Sequence, residues 1–75
     1  MKKQKPELFS NYRFRDLVDE YVQGDLNRQI LLLFYVEDKT QEEIEELLHT
    51  SVSTVKRTCK KYGIPIFRMM EKNEP

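Results

Sequence analysis

Two helix N-cap signals set close together constrain this chain more than any other feature. Thr40 with Glu43 three residues later forms a capping box, which predicts a helix from Gln41. Ser51, with Thr54 in the turn after it, is a second good N-cap and predicts a helix from Val52. Only His49, Thr50 and Ser51 lie between Leu48 and Val52, which is the length of a helix-turn-helix connection. The first of the two helices is acidic. The second carries Lys56, Arg57, Lys60 and Lys61 on the side opposite its apolar residues.

A chain of 75 residues makes one domain. At this size folding buries only about 60% of the surface that the unfolded chain exposes, so stability depends on good packing or on a partner. One cysteine excludes an internal disulfide. Cys59 and His49 are too few for a zinc site, so neither a metal nor a cofactor is expected. The longest apolar run, 30–36, is far too short to span a membrane. The N-terminal lysines have no apolar stretch behind them, so no signal peptide is visible, and a free cysteine suits a reducing compartment. The expected location is the cytoplasm.

Net charge is zero, but the charge is unevenly spread. Residues 1–15 hold five basic and one acidic side chain, 16–50 two basic and ten acidic, and 51–75 six basic and two acidic. The chain is therefore acidic in the middle and basic at both ends. A neutral total predicts weak non-specific DNA affinity at physiological salt.

Along the chain, 1–5 reads as a disordered basic N-terminus. A helix is plausible from Pro6 or Glu7, since Pro is tolerated in a first turn, and Ser10-Asn11 could restart it. Phe14, Leu17, Val18 and Tyr21 follow the spacing of one helix face, and Gly24 ends that helix. Asp25 is the expected cap of the next helix, 26–37, of whose twelve residues eight are apolar. Seven of those are consecutive, which would also suit a buried strand. Three leucines, the aspartate cap and the lack of a second strand-like segment favour a helix, one that its neighbours must surround. In the helix from Gln41 the inward set is Ile44, Leu47 and Leu48; in the helix from Val52 it is Val52, Val55, Cys59 and Tyr62. Gly63 is expected to end the last helix in a left-handed C′ conformation, with Ile64 making the accompanying contact and Pro65 blocking continuation. The reading is all-α: a helical helix-turn-helix domain of about four helices over 6–63, then an apolar tail with a polar end, 64–75.

That order of residues suits DNA. A helix fits the major groove, and its first two exposed turns reach base edges. Ser53 and Thr54 can bond to bases or phosphate, and Arg57 can bond bidentately to guanine O6 and N7. Lys56, Lys60 and Lys61 suit phosphates. Thr40 and Gln41 open the preceding helix and Ser51 opens this one, where free N–H groups bind phosphate well. Double-stranded DNA is the expected partner.

The pieces Arg28-Gln-Ile-Leu-Leu-Leu-Phe-Tyr35, Thr40-Gln-Glu-Glu-Ile44, Glu46-Leu-Leu48 and Ser51-Val-Ser-Thr-Val-Lys-Arg57 resemble region four of bacterial sigma factors. The related helix-turn-helix activators share them. The resemblance spans 28–60. It implies that 52–61 is the recognition helix, reading a promoter element, and that RNA polymerase or another regulator is a protein partner. The ending Lys60-Lys-Tyr-Gly-Ile-Pro65 is also similar to helix-turn-helix modules of resolvases. Three positions depart from the family pattern. Glu45 stands where a small residue is usual, His49 where Gly is usual at the turn, and Thr50 where an aliphatic is usual. His is among the residues enriched at positive φ, so His49 is tolerable. Glu45 implies a looser helix crossing, or a carboxylate that reaches solvent or a lysine of the next helix.

No catalytic residue is expected. The central carboxylates lie on exposed helix faces, and there is no Gly-rich phosphate loop. The chain is too short to hold the other domains of a sigma factor, so a small transcriptional regulator fits. The rival reading is a helix-turn-helix fold that binds polymerase, a sigma factor or another regulator without touching DNA; the acidic helix and zero net charge favour it. The apolar residues of 64–70 have two competing uses: completing the monomer core against the first helix, or forming a homodimer surface.

Overall fold

The computed structural model describes residues 10–72, and among them every regular element is helical. The order is α1 (Asn11–Tyr21), α2 (Asp25–Leu31) widening into a π turn (Leu32–Val36), and α3 (Gln41–Leu48). Then come α4 (Val52–Thr58), a second π turn (Cys59–Gly63) and α5 (Ile64–Lys72). The small all-α architecture is as expected. The expectations placed on 1–9 and on 73–75 lie outside the described residues.

Local chemistry sets most boundaries. Ser10 takes extended angles, and its hydroxyl accepts from the Arg13 N–H, so α1 starts at the Ser10-Asn11 restart point. The chain leaves α1 at Val22 and turns at Gly24, whose φ of 92° suits glycine. Gly24, rather than Asp25, is the N-cap of α2: the Arg28 N–H donates to the Gly24 carbonyl at 3.1 Å. Asp25 instead pairs with Arg28 at 3.4 Å. The Arg28 Nε donates to the Val22 carbonyl at 2.8 Å and so ties the end of α1 to α2. Asp38, at φ 57°, turns the chain toward α3.

The core is one cluster. It takes Phe14, Leu17, Val18 and Val22 from α1 and its end, and Ile30, Leu31, Phe34 and Tyr35 from α2 and its π turn. Ile44, Val55 and Cys59 come from the helix-turn-helix, and Ile66 and Met70 from α5. Tyr35 sits among three rings, at centroid distances of 4.9 Å to Phe34, 5.0 Å to Phe67 and 5.6 Å to Phe14, each edge-on. Burial, together with Cys59 beside its hydroxyl, pushes the Tyr35 pKa up to about 12.

Several inward assignments need correction. Tyr21, Leu26 and Leu47 are 51%, 43% and 56% exposed, and Leu32, Leu33 and Val36 are only half-buried. A domain this small covers one face of its central helix, and the buried stripe on each helix is narrower than its apolar composition. Val22, in place of Tyr21, completes the α1 stripe. Thr58 is buried as well. Its hydroxyl donates to the Asn27 Oδ1 at 3.1 Å, and the Asn27 Nδ2 donates to the Gln23 carbonyl, a polar tie between α4 and α2.

The expected helix end at Gly63 does not occur. Gly63 is not at positive φ, and the backbone stays helical through Cys59 (φ −61°, ψ −40°) and Ile64 (φ −62°, ψ −49°). Glycine serves close approach instead: a Cβ there would lie 3.3 Å from the Tyr35 hydroxyl oxygen and 3.4 Å from the ring. The widened turn ends two residues before Pro65, whose ring would otherwise meet the carbonyl four residues back. The helix therefore passes Pro65, and α5 packs on α1 with Ile66 and Met70 buried and Phe67 against Phe14. Of the apolar side chains in 64–70, Ile66 and Met70 are buried in the monomer core, Phe67 and Met69 are half-buried against it, and Ile64 is 46% exposed. Nothing in the fold supports that dimer.

Candidate nucleic-acid interface

The helix-turn-helix is built on three caps. At the start of α3 the Thr40 hydroxyl accepts from the Glu43 N–H at 3.1 Å, and the Glu43 carboxylate accepts from the Thr40 N–H at 2.8 Å. Both halves of the capping box are present. At the start of α4 the Ser51 hydroxyl accepts from the Thr54 N–H at 3.1 Å and lies 2.9 Å from the Thr54 hydroxyl. Between them His49 takes the left-handed conformation, φ 53° and ψ 48°, so that its N–H reaches back to the Glu45 carbonyl. The Thr50 N–H donates to the same carbonyl at 3.1 Å. His49 thus does the work expected of a glycine at the turn.

Glu45 answers the question its position raised. Its Oε2 accepts from the Val52 N–H at 3.2 Å, so a side chain of α3 caps the first amide of α4. None of the accommodations expected for it is this one. A carboxylate at a helix N-terminus also favours the local dipole. No short-range sequence rule could have found the contact, because seven residues and a turn separate the partners. Thr50, the third departure, is half-buried in the turn.

The residues expected to meet DNA fall on one side of α4 and its continuation. Ser53, Lys56, Arg57, Lys60 and Lys61 are exposed, and Thr54 is half-buried because it packs against its cap. None of the four cations forms an ion pair among the described residues; the Lys61 Nζ lies 5.3 Å from the Tyr62 ring centroid. Behind them Val55, Thr58 and Cys59 are buried and fix the helix to α2. Thr40 and Ser51 are exposed and Gln41 half-buried, at the two N-termini. The geometry joins a packed base to a basic surface without ion pairs among the described residues, and that can bind a polyanion.

Elsewhere the chemistry is sparse. No group of three or more His, Cys, Asp or Glu among the described residues could hold a metal ion. No helix among them is long and apolar enough to cross a membrane. No curated protein and no solved structure matches the chain. A sequence model of the family described as Sigma-70, region 4 matches residues 25–60, which run from the first residue of α2 to the second π turn. Those residues form a helix-turn-helix domain of the sigma-70 region 4 family, a family of DNA-binding or polymerase-related regulation.

Proposed function

We propose that the chain is a small transcriptional regulator of the cytoplasm that binds double-stranded DNA through α4 and the turn that follows it. RNA polymerase or another regulator is its protein partner, and no catalysis is assigned to it. One observation carries this reading: Lys56, Arg57, Lys60 and Lys61 stand exposed and without ion pairs among the described residues, on a helix whose other side is buried. In this reading Ser53 and Arg57, in the first two turns, meet base edges, with Thr54 beside them, and Lys56, Lys60 and Lys61 meet phosphates. Thr40, Gln41 and Ser51 present helix N-termini to the backbone. Selection from a random duplex library by the intact chain tests this. Enrichment of one short sequence element supports it; an unenriched library, with purified RNA polymerase also present, contradicts it.

A second reading has its own observation. On α3, the exposed Leu47 lines an open hollow of about 280 Å³ with Lys39, Glu43 and Glu46. An apolar residue flanked by two carboxylates and a lysine suits a protein partner with charged and apolar side chains. Binding of polymerase by the intact chain, unaffected by Arg57→Ala and abolished by Leu47→Glu, would favour this module over DNA binding.

A further inference from the structure

The family match stops at residue 60, but the helix does not. From Val52 to the end of α5 there are 21 residues of continuous helical backbone, which at ~1.5 Å per residue is a rod of about 30 Å. The major groove is about 12 Å wide. A rod that enters the groove with its first turns must leave it again and cross a sugar–phosphate strand. What the later turns present outward is therefore part of any DNA-binding surface.

They present Arg68. It is exposed, and it has no ion pair among the described residues, Glu71 one turn on included. Along the rod the buried positions run Val55, Thr58, Cys59, Gly63, Ile66 and Met70, and the exposed ones run Ser53, Lys56, Arg57, Lys60, Lys61, Ile64, Pro65, Arg68 and Glu71. The burial keeps its phase through the π turn, so Arg68 stays on the side that carries Arg57, Lys60 and Lys61. It lies about 10 Å beyond Lys61 along the axis. Between them Ile64 and Pro65 offer no charge, so the basic surface has two parts rather than one. The far part is held rigidly, since α5 is clamped on α1 by Ile66, Met70 and the Phe67–Phe14 contact.

Resting on the DNA-binding reading above, we propose that Arg68 is a second, separate phosphate-binding position, which grips the strand where the rod leaves the groove. Arginine suits a phosphate bidentately, and a contact this far from the base-reading turns adds affinity without sequence preference. The footprint is thus longer than the family-matched segment alone would give.

The test uses the intact chain on its selected duplex, alongside duplexes in which single flanking phosphates are replaced by uncharged methylphosphonates. Arg68→Ala should lower affinity equally for selected and random DNA and reduce the slope of log K against log salt by about 0.9. One neutralised phosphate, outside the base-reading region, should abolish the difference between Arg68→Ala and the parent. Arg68→Lys should restore most of the slope. If Arg57→Ala and Lys60→Ala weaken binding while Arg68→Ala leaves affinity and slope unchanged, the proposal is overturned and the recognition-helix reading stands. If Arg68→Ala acts but no single neutralised phosphate abolishes its effect, the contact is not a local one and the proposal also falls. No duplex binding by the intact chain at low salt overturns both.

Discussion

The two sides of the rod that runs through α4 and α5 divide the work of the molecule. The inner side is apolar and fully committed: Val55, Ile66 and Met70 are buried against α1, α2 and the aromatic cluster around Tyr35. The outer side is basic and uncommitted, with cations that make no ion pairs among the described residues. One helix can do both because burial fixes its rotation, leaving the exposed charges nothing to do for the fold. Substitutions on the inner side should therefore change stability and leave DNA preference alone, and those on the outer side should do the reverse.

The largest effect is expected at the inner side. Ile66→Ala should cost roughly 2–5 kcal/mol in chemical denaturation, a large share of the stability of a domain this size. Ile64→Ala, two residues away on the other side of the helix and half exposed, should cost well under that. Equal costs would mean that α5 is not part of the core. Phe34→Ala should be as damaging as Ile66→Ala, and Leu33→Ala less so because Leu33 is only half-buried.

Tyr35 gives the inner side a pH signature. Its folded pKa, about 12, is raised above the usual 10.0, so the protonated form is favoured in the fold. The stabilisation is whole below pH 10 and is lost as pH rises toward 12, on the order of 2 kcal/mol. Denaturation midpoints measured across that range should fall, and Tyr35→Phe should flatten this part of the fall. An unchanged pH profile in Tyr35→Phe would place the phenol in water.

On the outer side, Arg57→Ala should cost about 1–3 kcal/mol of discrimination between selected and random DNA, whereas Lys60→Ala should weaken both alike. If the two variants behave identically on both DNAs, the division between base reading and phosphate binding is wrong. Glu45→Ala should produce the smallest change, about 1 kcal/mol of stability from the lost cap of α4. A stability loss no larger than that of Glu46→Ala would remove Glu45 from that role.

Features governed by neighbours a few residues apart were legible in the sequence. Thr40 with Glu43, Ser51 with Thr54, and His49 at the turn all follow local rules, and each took the expected conformation. The outward placement of Arg57, Lys60 and Lys61 followed from helix periodicity and the apolar residues behind them. Gly63-Ile64-Pro65 is a strong local stop signal, yet long-range packing overrode it: the Tyr35 ring needs the space a glycine leaves, and Ile66, Phe67 and Met70 need the core. The Glu45–Val52 cap and the Asn27–Thr58 tie were illegible because nothing local links their partners. Leu47 and Tyr21 were placed inward because composition does not tell how wide a buried stripe is.

The most direct test is the salt dependence of duplex binding by the intact chain and by a variant with Arg57, Lys60 and Lys61 all changed to alanine. Both proteins should show the same helical circular dichroism and the same melting, since these side chains hold nothing in the fold. The parent should show log K falling linearly with log salt, and the variant should lose the two phosphate contacts of Lys60 and Lys61, roughly 1.8 in slope, together with the sequence preference that Arg57 supplies. A parent whose binding is indifferent to salt, or a variant that binds as the parent does, would contradict the assignment of this helix face to DNA.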